Sequence, residues 1–283
     1  MNRKKVLERT FNRVLIILLS IFSFYYTNQV VSFLQENDPI MKEIKSTEKK
    51  YKIEAENAIT TDNTIISGKK GKVIDYDKSY QKMKKYGTYN ESLTVLKDTI
   101  PVISINNNYD KYLIGGNKYH KKVSLVFIVK EKDPHNIISI LKQNKIKATF
   151  FIDGTFIENN INLLKNEEQD FELLSYQNDY NESFFKTSLS YLESITNNKA
   201  KFCYTEIDNN KLLSLCEKLK LHTIKPSLII KKDSYKEVKE NIDNGIIISL
   251  DINSLIEKEL KETITYIKQK GYQIVPLEYL IEE

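Results

Sequence analysis

Apolar and polar positions divide the chain into two differently patterned parts. Val14 to Gln35 is a charge-free run, VLIILLSIFSFYYTNQVVSFLQ, whereas short apolar runs alternate with amphipathic stretches from residue 121 onward. About 20 apolar residues suffice for a helix to cross a bilayer. The first part therefore predicts a membrane-spanning helix, and the second predicts alternating strands and helices.

The alternating part predicts seven strands separated by helices. Its strand runs are rich in β-branched and aromatic residues, and its helices carry apolar residues at helical spacing. Asp133-Pro134 and Asp208 are the residue types that start helices. The predicted strands are 123–129, 148–152, 171–176, 201–204, 222–225, 245–250 and 273–275, and the predicted helices are 133–144, 155–166, 183–196, 208–220, 234–241, 255–269 and a short last one.

This order of elements is typical of an α/β protein with a parallel sheet covered by helices. Periodicity alone leaves an open doubly wound sheet and a closed barrel as alternatives. In both, a functional site is expected at the carboxyl ends of the strands.

Composition and turn residues predict five segments. Residues 1–13 form a basic cytoplasmic tail, and 14–35 form a transmembrane signal-anchor. Residues 36–60 are charged and lack turn residues, which favours a helical or extended stalk. Residues 61–120 are punctuated by glycines, which predicts a small accessory α+β segment. Residues 121–283 form the α/β domain.

The charge distribution places the body of the protein outside the cytoplasmic membrane. The net charge is +5, and residues 1–13 carry five basic residues against Glu8, which leaves about +1 for the other 270 residues. A basic flank before a membrane span stays in the cytoplasm. A cleaved signal peptide is the alternative, although no small-residue cleavage site follows the run. Either reading predicts an extracytoplasmic body.

The same distribution argues against a nucleic-acid partner. Every arginine of the chain lies in the first 13 residues. A nucleic-acid interface needs clustered Lys and Arg on the folded part of a protein, with Arg the preferred bidentate phosphate ligand. An almost neutral, arginine-free body is not expected to bind nucleic acid.

The two cysteines leave two interpretations open. Cys203 and Cys216 can pair if the body is outside the cell. Cys216 also lies in a helical apolar stripe with Leu212 and Leu219. This pattern favours a small buried core residue.

Three motifs resemble those of a known family. LKQNKIKATFFIDG (141–154) resembles the second strand of the polysaccharide deacetylase, or NodB-homology, domain, and NGIIISLD (244–251) is similar to its late strand. KGYQIVPLEYL (270–280) resembles its end. The resemblance covers a little over half of the chain and implies a distorted (β/α)7 barrel. It also implies a hydrolase that uses a divalent metal such as zinc to cleave carbohydrate N-acetyl groups.

The chain departs from this family at the positions that carry the chemistry. The family's first strand ends in Thr-Phe-Asp-Asp-Gly, with a general base followed by a metal ligand, and Ile128 and Val129 stand at these two positions. The family's His-x-x-x-His metal motif aligns with Tyr176 and Tyr180. The late-strand histidine aligns with Asp251 or with its neighbour Leu250. This set leaves no ligands for the metal that would activate the catalytic water. No metal cofactor is therefore expected.

Two interpretations of the remaining polar residues stay open. Lys130, Asp153, Tyr176, Tyr180 and Tyr204 are candidate glycan contacts, or their aromatic members fill a vacated pocket. A displaced metal site would use the only other cluster of ligand types near the strand ends. That cluster is Asp133, His135, Asp153 and Asp179. His120 and His222 are expected at the opposite end of the domain.

The sequence supports three functional hypotheses. The preferred one is a membrane-anchored pseudoenzyme that binds cell-wall polysaccharide or an envelope protein. The second is an active metal-dependent N-deacetylase or esterase with a rearranged site. The third is a structural component of an envelope assembly that docks through residues 61–120.

Overall fold

The structure is a computed structural model that describes residues 3–130, 132–174 and 181–283, without the side chains of residues 3–12. It confirms the predicted α/β class and the long N-terminal helix. The chain divides into two compact units. The first contains Met1–Glu54 and Lys72–Thr99, and the second contains Ala55–Gly71 and Ile100–Glu283.

Twelve α-helices occur in the described part of the chain. Their bounds are α1 Arg3–Asn37, α2 Pro39–Ser46, α3 Glu48–Tyr51, α4 Tyr76–Lys84, α5 His135–Gln143, α6 Gly154–Asn159, α7 Ile161–Asn166, α8 Glu182–Thr196, α9 Asn210–Lys218, α10 Ser234–Asn241, α11 Ser254–Gln269 and α12 Leu277–Leu280.

Thirteen strands occur in the same described residues. Their bounds are β1 Ile59–Thr60, β2 Thr64–Ile66, β3 Gly71–Ile74, β4 Leu96–Thr99, β5 Tyr112–Gly115, β6 Lys122–Val129, β7 Thr149–Ile152, β8 Asp170–Leu173, β9 Phe202–Tyr204, β10 His222–Ile224, β11 Leu228–Ile230, β12 Ile247–Asp251 and β13 Gln273–Ile274.

The first unit contains α1 and a small core. Residues 13–37 of α1 form a helix long and apolar enough to cross a membrane, with a mean hydropathy of 1.7 in its most apolar window. In the predicted stalk, Ile40 and Ile44 of α2 are buried against Ile74 and Met83. The predicted 61–120 segment is divided, because residues 72–99 belong to this unit and its remainder belongs to the second one.

The second unit contains two mainly parallel sheets. One has the order β11-β12-β6-β7-β8, with β13 paired to β6, and the other has the order β1-β2-β5-β10-β9. Only β1 and β2 pair antiparallel among the strand pairs of these two sheets that the structure describes. The strands therefore form two open sheets, an arrangement compatible with the predicted distorted barrel. Within each sheet the parallel strands end at the same edge, where a site was predicted.

Residues of β6 alternate between two hydrophobic cores. Val126 and Ile128 lie in a cluster with residues of both sheets, such as Leu113 and Ile224. Leu125, Phe127 and Val129 lie in a second cluster with the covering helices α5 and α11. This alternation is the period of two expected for a strand. The cluster that contains Ile128 is called the inner core below.

Most predicted elements are present, with three corrections. The predicted helix 155–166 is two helices, because Asn160 caps α6 and its side chain donates to the Phe156 carbonyl at 3.0 Å. Asn209, not Asp208, caps α9 by accepting from the Leu212 amide at 3.1 Å. Strand β11 was not predicted.

Cys203 of β9 and Cys216 of α9 form a disulfide, with their Cα atoms 6.4 Å apart. This pairing corrects the preferred interpretation of Cys216 as a free core residue. Both residues are fully buried. The cross-link therefore also packs as part of the core, which is why the apolar pattern around Cys216 did not reveal it.

Reducing this disulfide is expected to lower the free energy of unfolding by about 3 kcal/mol, because a cross-link over a short loop restricts the unfolded chain. Urea unfolding with and without a phosphine reductant measures the difference. A variant with both cysteines replaced by Ala serves as the control, since reductant should not change its midpoint. Two free thiols in the unfolded, unreduced protein would contradict the pairing.

Candidate functional site at the strand ends

An ion-pair network occupies the carboxyl end of the parallel strands. Lys130 follows β6, and its Nζ lies 3.2 Å from Oδ2 of Asp251, the last residue of β12. The same Nζ lies 3.7 Å from Oε1 of Glu206, which follows β9. Lys231, which follows β11, lies 2.8 Å from Oε2 of Glu206. These four residues are called the mouth network below.

The two vestigial catalytic positions are buried and apolar. Ile128 and Val129 are each 1% exposed. Ile128 pairs in register with Asp251 of β12 and with Phe151 of β7. Neither aliphatic side chain can take a proton or hold a metal, so the inner core extends up to the mouth network.

Tyr204 is buried below the mouth network. It is 5% exposed, its hydroxyl lies 2.7 Å from Oγ of Ser249, and its ring lies 5.2 Å from that of Phe151. Burial raises the pKa of the Tyr204 hydroxyl above its usual range. This position argues against the predicted contact of Tyr204 with a ligand and in favour of a packing role.

A surface cavity of about 420 Å³ lies beside the mouth network. Lys130 and Asp153, two of the candidate glycan contacts, both line it. Asp153 also caps α6, because its Oδ1 accepts from the Phe156 amide at 2.8 Å. The lining residues are Lys130, Lys132, Asp133, Asp153, Thr155, Phe156, Asn159 and Asn160. Hydroxyl, amide and charged groups around one aromatic ring suit a polar ligand such as a sugar.

The displaced metal cluster is assembled only in part. Asp133 and His135 contact each other through Oδ1 and Nδ1, and Asp133 also accepts from the His135 amide at 2.9 Å. Asp133 and Asp153 line the same cavity. No group of three or more His, Cys, Asp or Glu residues within the described ranges is arranged to hold a metal ion. Tyr176, Asp179 and Tyr180 lie outside the described residues.

The donor set at the strand ends does not fit the metal that the family resemblance implies. Ile128 and Val129 offer no lone pairs, and the carboxylate beside Ile128 in the strand register, Asp251, is already paired with an ammonium group. A divalent cation would meet the Lys130 charge at this position. The mouth network therefore does not fit zinc, because its two carboxylates are already paired with lysines and it contains no histidine.

The opposite end of the strands contains His222. Its ring stacks on Tyr109 with centroids 4.3 Å apart. Burial lowers the pKa of His222 to about 4, so the imidazole is neutral near pH 7. His222 therefore packs as a structural residue away from the mouth network.

Sequence reasoning missed Glu206, Lys231 and Ser249. Glu206 is the second residue after β9, and Lys231 is the first residue after β11. The rule that sites gather at the carboxyl ends of parallel strands would have found Glu206, since strand 201–204 was predicted. Lys231 was not accessible to that rule because β11 was not predicted.

Comparisons with known proteins agree with the predicted resemblance. No protein-family model matches the chain. The chain is 26% identical over 143 residues to the uncharacterized protein YlxY of Bacillus subtilis, a match that covers 50% of this chain and 45% of that protein. The chain thus spans less than half the length of this relative.

Solved structures define the fold. The crystal structure of BA3943, described as a CE4 family pseudoenzyme from Bacillus anthracis, is similar with a TM-score of 0.65 and 21% identity, over 87% of this chain and 96% of that chain. Bacillus subtilis PdaA, a family 4 carbohydrate esterase, is similar with a TM-score of 0.54 and 19% identity, over 62% of this chain and 86% of that chain. The chain therefore has the fold of the family 4 carbohydrate esterases, the polysaccharide deacetylase fold, which occurs in enzymes and in a pseudoenzyme.

Proposed function

We propose that this protein is a membrane-anchored, extracytoplasmic pseudoenzyme that binds cell-wall glycan at the strand ends without cleaving it. The observation that carries the proposal is the mouth network above Ile128. A charge-balanced set of ion pairs and a packed aliphatic core stand where the fold's enzymes need a metal and a base. The 420 Å³ cavity beside it supports binding.

Two features support the location. The span within α1 follows a basic N-terminal flank, which favours a cytoplasmic N-terminus. The Cys203–Cys216 disulfide is a bond that persists in oxidising compartments outside the cytoplasm. Both features agree with a body on the outer side of the cytoplasmic membrane.

The structural neighbours support the loss of activity without loss of fold. BA3943 is described as a pseudoenzyme, and a BA3943 mutant is described as having restored enzymatic activity. In that protein, the fold is therefore compatible with both an inactive and an active site. We infer that the same fold is kept here for binding.

Full-length protein in detergent micelles is expected to sediment with purified peptidoglycan at low salt. Replacing both Tyr176 and Tyr180 with Ala is expected to reduce retention about tenfold, because a sugar ring that stacks on an aromatic face loses that contact. Tyr119→Ala is the matched control, since this tyrosine is 74% exposed and precedes β6. Quantitative sedimentation measures the retained fraction.

Three outcomes would contradict the proposal. Failure of the unmodified protein to bind peptidoglycan at low salt would exclude glycan binding. Unchanged retention of the double tyrosine variant favours a structural role in an envelope assembly. Acetate release from an acetylated chitooligosaccharide, together with stoichiometric zinc retained after dialysis, establishes an active deacetylase with a rearranged site.

A further inference from the structure

The mouth network has the geometry of a cation site. Two carboxylates from different sheets, Asp251 on β12 and Glu206 after β9, converge on one positive group, the Nζ of Lys130. Glu206 is also paired with Lys231 at 2.8 Å. Two strand-end carboxylates around one central positive charge are the arrangement that a bound metal ion would otherwise create.

The carboxylate of Asp251 depends on this positive charge. Its side chain is 20% exposed. Its Oδ1 is buried without a hydrogen-bond partner, while Oδ2 accepts from Lys130 at 3.2 Å. Asp251 also sits directly beside Ile128 in the strand register, so apolar surface adjoins it. An ionised carboxylate in such a place is costly unless a cation stays close.

The position of Lys130 in the sequence lets its ammonium group serve as that cation. It is the first residue after β6, immediately beyond the two vestigial positions Ile128 and Val129. The buried strand anchors the backbone of Lys130, and its side chain needs to reach only the ends of neighbouring strands. Its side chain is 39% exposed, so water reaches the network from one side.

We propose that Glu206 and Asp251 form a cation site whose resident cation is the ammonium group of Lys130. This internal cation replaces the metal ion that the fold's enzymes use at the strand ends and makes the protein indifferent to divalent metals. The proposal does not depend on glycan binding. It assigns a shared role to Lys130, Glu206 and Asp251, none of which is a residue type that the family's motifs carry at these positions.

The test removes the cation and returns it from solution. Lys130→Ala deletes the ammonium group and leaves space for a small cation, so its Tm is expected to fall by roughly 5 °C. Millimolar to molar n-propylammonium is expected to raise this Tm by mass action, and neutral n-propanol at the same concentration is not. Circular dichroism of the full-length protein in detergent follows the transition.

Matched variants separate this role from general packing. Lys130→Arg is expected to keep the wild-type Tm, because it keeps the charge. Lys130→Ala combined with Asp251→Asn is expected to recover much of the lost Tm and to show no response to propylammonium, because the Asp251 carboxylate is gone. Lys186→Ala removes an exposed ion pair with Glu182 and is expected to change little.

Two results would overturn the proposal. A Lys130→Ala variant as stable as the wild type, or one stabilised equally by propanol and propylammonium, shows that the ammonium charge is not required. A wild-type protein whose Tm rises with zinc and falls with a chelator shows that a metal, rather than Lys130, is the cation of this site.

Discussion

Replacing Glu172 with Gln is expected to remove a loss of stability that the wild-type protein suffers between about pH 5 and pH 8. Glu172 of β8 is 5% exposed. Burial raises the pKa of its carboxyl group from 4.5 to about 8, an effect that its backbone hydrogen bonds oppose. A buried strand carboxyl of this kind is neutral at pH 7.

Backbone hydrogen bonds define the role of Glu172 in the fold. Its two carboxyl oxygens accept from the Lys201 amide at 3.2 and 3.0 Å, and Oε2 accepts from the Phe202 amide at 3.2 Å. β8 and β9 belong to different sheets. Glu172 therefore satisfies amides at the start of β9 that no β8 carbonyl accepts, and it links the two sheets at this point.

The sign of the pH effect follows from the raised pKa. Between pH 4.5 and about 8 the folded protein holds a proton at Glu172 that the unfolded chain has released. The contribution of Glu172 to the free energy of unfolding is therefore greatest below pH 4.5. It falls as the pH rises toward 8. At about 1.4 kcal/mol for each pH unit, the loss approaches roughly 5 kcal/mol.

Urea unfolding from pH 5 to pH 8.5 measures this slope for wild type and for Glu172→Gln, whose side chain stays neutral. The variant is expected to unfold at a higher urea concentration than wild type at pH 8.5 and at a similar one at pH 5. Glu278→Gln, at an exposed glutamate paired with Lys201, is the control and should keep the wild-type slope. Equal slopes for wild type and Glu172→Gln would show that Glu172 ionises freely in the folded state.

Much of the second unit could be predicted because its strands are short buried runs. β6, β7 and β12 are mostly apolar, and the helices between them carry apolar residues at helical spacing. The predicted helix 234–241 coincides with α10. Local patterns of this kind depend on residues that are close in sequence, so a single sequence is enough to predict them.

The pairing of distant segments could not be predicted in the same way. β5 lies in the predicted accessory segment, yet it pairs in parallel with β10 more than 100 residues later. Glu172 lies in the run FELL and gives no sign that it faces β9. The Lys130–Asp251 pair depends on β6 and β12 being neighbours, and periodicity does not define strand order. Each of these features could be predicted only after the order of strands in the sheets was known.

Replacing Ile128 with Asp, which returns a carboxyl group to the position of the family's general base, is expected to destabilise the protein by about 4 kcal/mol or more. Ile128 is 1% exposed in the inner core. The change gives up roughly 2–3 kcal/mol of apolar burial. It also buries a carboxyl group without a ready partner, which costs about 1–3 kcal/mol even when the group stays neutral.

Matched substitutions separate volume, polarity and charge at this position. Ile128→Val should cost about 1 kcal/mol, because it removes one methylene and keeps the surface apolar. Ile128→Asn adds polarity without charge. At pH 5, the free energy of unfolding of Ile128→Asp is expected to resemble that of Ile128→Asn. At pH 8 it is expected to be lower than that of Ile128→Asn, because burial beside Asp251 opposes a second ionised carboxylate.

Urea unfolding of the three variants at both pH values tests whether the position of Ile128 is closed to water. An Ile128→Asp variant as stable as Ile128→Val would mean that water reaches this position and that the site is open. The expected loss would instead mean that the catalytic carboxylate cannot return by one substitution. The inner core around Ile128 and the Lys130 charge above it would both have to change, because an apolar core disfavours a carboxylate and an ammonium group repels a divalent cation.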